Sequence, residues 1–197
     1  MPRSATIQPW LAEAPDMFTL NKAERIDAAD IPNAILRHLH DYWAGQRGDR
    51  TMPSRLDLDL LEVRDNIGRM HVLDVEGPER FRYRLYGGRV TNPDRAEMTG
   101  RTTMDYDDKN FARMVTAHLQ ECVAAKAPIC YRIDGAVDGH PYRYIRLVLP
   151  LSDDGTAVST LLVGTQRIEV DPALERRTTR FNALAVAFVT AAAAVAL

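Results

Sequence analysis

Two cysteines in 197 residues, Cys122 and Cys130, are too few to staple a fold of this size. A packed core must hold the chain instead, and a reducing, cytoplasmic compartment is expected. Charge of one sign is equally scarce, because 25 Lys+Arg stand against 27 Asp+Glu and leave a formal net charge of −2. That balance argues against a polybasic arm and against nucleic-acid binding. The N-terminus does not join a basic stretch to an apolar one as a secretory signal would, and no period of repeat length recurs, which excludes solenoids and propellers. With 46% hydrophobic and 26% charged residues, a collagen-like, mucin-like or wholly disordered chain is excluded as well. The length favours one sizeable core with extensions.

Residues 1–29 mix Pro2, Pro9 and Pro15 with scattered charge and keep neither the helix nor the strand period, so they read as an arm or linker. From Asp30 the apolar positions Ile31, Ile35, Leu36, Leu39, Tyr42 and Trp43 follow one helical face, with Asp30 as cap and Gly45 and Gly48 as stops. Residues 56–66 read as a short, mostly helical connector. The period then changes. Residues 70–75 favour a strand and end at Glu76-Gly77-Pro78, and residues 81–86 alternate apolar Phe81, Tyr83 and Leu85 with basic partners, which makes a hairpin. Residues 89–106 hold Pro93 and Gly100 and suit short helical turns. A long helix is predicted over 107–126, with Phe111, Met114, Val115, His118, Leu119 and Cys122 on one stripe. Strand character returns over 129–133, 142–151 and 157–168, with turn chemistry at Asp134-Gly135, Asp138-Gly139-His140-Pro141 and Ser152-Asp153-Asp154-Gly155 between them. Asp171-Pro172 opens a final helix.

This order predicts an α+β fold: a five-stranded antiparallel sheet, helices inserted between its second and third strands and packed on one face, and flanking helices at both ends. The domain is expected over 30–170, with the arm over 1–29 and a C-terminal apolar helix over 171–197. A pocket belongs between the sheet and the inserted helices.

The chain at this point resembles the PAS sensor domains, and more narrowly a group of small bacterial proteins of unassigned function built around one PAS domain. The resemblance spans residues 30–170. It rests on Asp41-Tyr42-Trp43 with Met52-Pro53-Ser54-Arg55, Phe81-Arg82-Tyr83-Arg84-Leu85, Thr99-Gly100-Arg101, and Leu149-Pro150-Leu151-Ser152 with Asp153-Asp154-Gly155. The chain departs from the group at Tyr86-Gly87-Gly88 and over Thr91-Asn92-Pro93-Asp94-Arg95, along the pocket wall. The resemblance implies a sensory role with a small ligand or protein partner. It also implies that His118, on the helix where haem-binding members carry their iron ligand, is a candidate axial ligand. The photoactive covalent flavin form does not suit the chain, since neither cysteine precedes the long helix.

Catalytic motifs are absent: there is no phosphate-cradling glycine loop, no His-Glu-x-x-His, no Gly-x-Ser-x-Gly and no Cys-x-x-Cys. A non-enzymatic chain is expected, and a small enzyme using the same cavity is the alternative. The run Asp105-Tyr106-Asp107-Asp108 lacks the glycine and glutamate of a calcium loop and reads as a helix N-terminus. His118 sits mid-stripe and reads first as a hydrogen-bonded core histidine with no cofactor, and second as a haem ligand. Arg82, Arg84, Arg143 and Arg146 alternate with apolar residues and read as solvated or paired, with Arg101 or Arg146 as the candidate to hold a small anion in the pocket. The pocket candidates are therefore Tyr83, Arg101, His118, Tyr131 and Arg146.

In the C-terminal segment Leu174, Phe181, Phe188 and Val195 recur every seven residues, with Leu184 and Ala191 between them. A homodimer or a signalling partner, engaged through the terminal helices, is the first reading and packing on the domain itself the second. The third is membrane association of residues 181–197, which carry no charge and follow Arg176, Arg177 and Arg180.

Overall fold

The computed structural model describes residues 18–90 and 92–168. Chain contacts separate a compact unit ending at Gln166 from the segment that begins at Arg167. The expected final helix, and every reading of residues 171–197, lies outside the described residues.

Six strands form one sheet, β1 (Phe18–Ile26), β2 (Met70–Val75), β3 (Phe81–Tyr86), β4 (Ile129–Val137), β5 (His140–Leu151) and β6 (Thr160–Arg167), in the order β1-β4-β5-β6-β2-β3. The α+β architecture is as expected, with helix α2 (Lys109–Ala125) inserted between β3 and β4 and helix α1 (Ala34–Arg47) ahead of β2. The sixth strand, β1, was not expected: it falls in residues read as an arm or linker and runs antiparallel to β4 from Phe18 opposite Val137 to Ile26 opposite Cys130. Seven of its nine residues are exposed, so it has no apolar alternation to betray it. Only Phe18 is buried, edge-on to Phe111 at 5.3 Å and Tyr142 at 6.2 Å.

The remaining boundaries shift for local reasons. Helix α1 starts after Asn33, whose side chain accepts the Ile35 and Leu36 amides at 3.1 and 3.0 Å. Asp30 instead ends a short 3-10 turn, because Pro32 disfavours helical backbone at Ile31. The connector over 56–66 contains 3-10 turns at Arg55–Asp57 and Arg64–Asn66 rather than a helix. Asp134 and Gly135 lie within β4, and the turn is the tight pair Asp138-Gly139, with φ of 51° and 78°, which needs the left-handed freedom of glycine. Strand β6 begins at Thr160, since the Asp154 carboxylate accepts the Thr156 and Ala157 amides, both at 2.8 Å, and prolongs the preceding turn.

Helices cover both faces of the sheet. Helix α2 lays Phe111, Val115 and Leu119 over the face that carries Tyr142, Tyr144 and Arg146 of β5. Helix α1 packs on the other face. A Cβ at Gly164 would meet Leu36 and Leu39 of α1 at 2.7 and 2.8 Å, so the missing side chain is what lets helix and strand approach. The Trp43 indole donates to the Pro150 carbonyl at 2.8 Å and ties α1 to β5. Beside α1 that face keeps an apolar groove of about 340 Å³ between Leu58 and Leu60 of the connector and Val72, Leu85 and Leu162 of the sheet.

Candidate functional site

Beneath α2 the sheet converges on a small cavity, to which strand alternation delivers most of the lining. On β5, Tyr142, Tyr144 and Arg146 stand two apart and share a face; His71 and Leu73 do the same on β2, and Val163 and Thr165 on β6. Strand β3 breaks the rule. The pairing with β2 slips between Val72–Leu85 and Leu73–Tyr83, so Arg84 is an extra residue that flips the side chains after it. Tyr83 and Tyr86, three apart, therefore both face the cavity, while Leu85, expected inside, turns to the outer groove. Tyr106, placed by the loop before α2, completes the wall.

The lining is polar and crowded. The Tyr83 and Tyr106 hydroxyls are 2.9 Å apart, and the Asn92 amide donates to the Tyr86 hydroxyl at 2.8 Å. His71 stacks on Tyr86 at 4.2 Å and accepts the Gly87 amide on Nδ1 at 3.3 Å. Arg146, only 6% exposed, donates to Nδ1 of His118 at 3.2 Å and to the Tyr144 hydroxyl at 2.9 Å, with its guanidinium 5.9 Å from the Phe111 ring centre. Burial, aided by the Arg146 charge, pushes His71 and His118 down to about 3, so both rings are neutral. Burial likewise raises the Tyr83, Tyr86, Tyr106 and Tyr144 phenols, which stay protonated. The room left over is about 20 Å³. That is the space of one water molecule.

Of the five residues expected in the pocket, Tyr83 and Arg146 line this cavity. His118 stands behind Arg146 and stacks on Tyr131 at 4.0 Å, and Tyr131 is half-buried with its hydroxyl on Glu121. Arg101 is exposed; its part in the structure is its carbonyl, which accepts the Tyr83 amide at 2.9 Å. The expectation of one shared pocket is thus corrected for Arg101, His118 and Tyr131. The strand arginines also divide. Arg82 pairs with Glu76, Arg84 with Asp74 and Arg143 with Asp134, as expected for surface arginines, while Arg146, on the opposite face from Arg143, has no carboxylate partner among the described residues. Sequence reasoning missed Tyr142 and Tyr144, although Arg146 taken as inward implies both by alternation. It also missed Tyr86, His71 and Tyr106.

His118 is held by the protein's own side chains: its Nδ1 accepts from Arg146, and Tyr131 covers one face of its ring. No cluster of three or more His, Cys, Asp or Glu among the described residues is placed to hold a metal ion. Cys122 and Cys130 are buried free thiols, the second pushed up to about 11 by burial. The acidic run acts as helix punctuation, with Asp105 closing a capping box on Thr102 and Asp108 accepting the Phe111 amide at 2.8 Å.

Set aside β1, and the sheet order is that of two hairpins flanking a central β6, with the helical insert after the second strand of the domain. The sequence profile of the PAS domain matches residues 32–164. The chain belongs to the PAS domain family. A PAS domain is in general a sensory or regulatory module, and the chain is one in that sense. Among solved structures it is similar to the PAS domain of Bordetella pertussis BvgS, with 21% identity and a TM-score of 0.39, covering 57% of this chain and 85% of that one. A search of the curated proteins finds no match. Among the described residues of this PAS protein, no helix is long and apolar enough to cross a membrane.

Proposed function

We propose that the chain is a non-enzymatic sensory module whose input is the packing of the Arg146–tyrosine cluster under α2 and whose output is the position of β1 and the terminal segments. The observation that carries this reading is the double role of Asp108. Its carboxylate caps α2 through the Phe111 amide and also accepts the Phe18 amide of β1. Phe111 supplies a second link, since it lines the cavity and meets the Phe18 ring at 5.3 Å. A ligand that favours one packing of α2 on the sheet shifts the population of β1 positions by its differential affinity for the two.

The output side is a second copy of the chain or a signalling protein, engaged through the terminal segments, in the cytoplasm or at a membrane surface through residues 181–197. PAS domains commonly act through such contacts. No nucleophile is offered by the two thiols, whose burial raises their pKa and keeps them protonated.

Hydrogen exchange on the full chain tests the coupling. In Arg146→Met the β1 amides are expected to exchange at least tenfold faster while those of β2 and β3 keep their rates. Unchanged β1 rates, or an even acceleration everywhere, would sink the reading. Native mass spectrometry of the same material gives bound small molecules and subunit number together, and a visible spectrum without a Soret band disposes of the haem alternative.

A further inference from the structure

The geometry points to a single monatomic anion, of the charge and size of chloride, as the ligand of the cavity beside Arg146. This deepens the sensory reading and rests on it for its regulatory meaning, though not for the binding itself.

Charge is the first argument. Arg146 is 6% exposed and carries a guanidinium, yet among the described residues every group that touches it is neutral: the His118 ring, the Tyr144 hydroxyl, and the faces of Phe111 and Tyr144 at 5.9 and 5.2 Å. A buried cation without a counter-charge is strongly disfavoured. The hydroxyl protons around the cavity outnumber the bonds that could take them. Tyr83, Tyr86 and Tyr106 bring three hydroxyl protons to at most two bonds among themselves, and the Asn92 amide donates to Tyr86 without taking any of them. At least one proton is left over. The Tyr144 oxygen accepts from Arg146, which can accept nothing in return, so a second hydroxyl proton is free of that bond. His71, whose Nδ1 accepts the Gly87 amide, carries its own proton on Nε2. The lining is thus rich in donors and carries the positive charge of Arg146.

Size decides the class. About 20 Å³ accommodates one water-sized sphere and not a carboxylate, phosphate or sulfate. A halide meets the charge, the donors and the volume at once. Water meets the volume and accepts from two donors, but it brings no charge to set against Arg146.

The test is unfolding of the full chain in sodium chloride and sodium bromide against sodium gluconate at equal ionic strength, together with the chlorine-35 NMR linewidth. The expected result is a halide-specific rise in the unfolding midpoint that keeps growing with the logarithm of halide concentration, as one-site linkage requires, with a broadened chlorine line that bromide narrows. Arg146→Gln is expected to remove both effects and Arg146→Lys to restore part of them. Should Arg146→Gln fail to fold, Tyr144→Phe serves instead and is expected to weaken halide binding several-fold. Superimposed halide and gluconate curves, or broadening that survives Arg146→Gln, would overturn the proposal. Those results would leave the exchange experiment on β1 standing, so failure of the anion and failure of the sensory coupling are separable.

Discussion

At the scale of single residues the molecule is unusual in keeping two neutral histidines close to a buried arginine. Burial first and the Arg146 charge second hold His71 and His118 at about 3, against an ordinary 6.5. Below pH 6.5 the unfolded chain therefore takes up protons that the fold refuses. Stability is complete above that pH and falls as the pH drops toward 3, by up to about 1.4 kcal/mol per pH unit for each ring. Urea midpoints between pH 7.5 and 4.5 are expected to follow this slope, and His118→Gln, which keeps an acceptor for Arg146 but does not titrate, is expected to remove about half of it. A slope unchanged in the variant would mean that other groups govern the acid limb. The surface arginines behave differently. Arg80 on Glu76 is an exposed pair of the kind that contributes roughly 0–1 kcal/mol, so its removal is expected to leave the midpoint nearly where it was.

At the scale of elements, Asp108 joins α2 to β1. Asp108→Ala removes a helix cap, an effect of about 1–2 kcal/mol, and also leaves the Phe18 amide without its acceptor. Chemical denaturation is expected to register the cap, and fast exchange at Phe18 the loss of the acceptor; a slow Phe18 amide in the variant would contradict the linkage. The same element shows what a single sequence hides. The two described helices were legible from one buried stripe each, and five of the strands from β-favouring runs bounded by turn residues, although β5 is buried on both faces from Tyr144 to Leu151. Strand β1 was not, because an exposed edge strand such as Thr19-Leu20-Asn21-Lys22-Ala23-Glu24 carries the charges that blunt edges and no core face. Nor was Tyr86, since a one-residue bulge leaves no mark in the spacing and reverses every inference that counts by twos from Tyr83. Part of the site was nevertheless readable. Arg146 was singled out, and the tyrosines two and four residues before it follow from that choice.

For the whole molecule, the sheet is a partition with unequal sides. One side holds α2 over a polar cluster with a little spare volume; the other holds α1 seated in the notch at Gly164 and tied by Trp43 to Pro150. Filling that notch is expected to be felt throughout. Gly164→Ala drives a Cβ to 2.7 Å from Leu36, and overpacking of this kind destabilises by typically 1–3 kcal/mol, so a lowered thermal midpoint with α1 displaced in chemical-shift maps is the outcome to look for. An unmoved midpoint would mean that α1 can slide. The seat at Gly164 has a consequence for direction. If one shoulder of the sheet is bolted and the other merely rests on a soft polar cushion, a push arriving in the cushion cannot escape through the bolted shoulder. On the proposed sensory reading it travels sideways, along the hinge made by the carboxylate shared between helix and outermost strand, toward the end of the chain from which that strand comes.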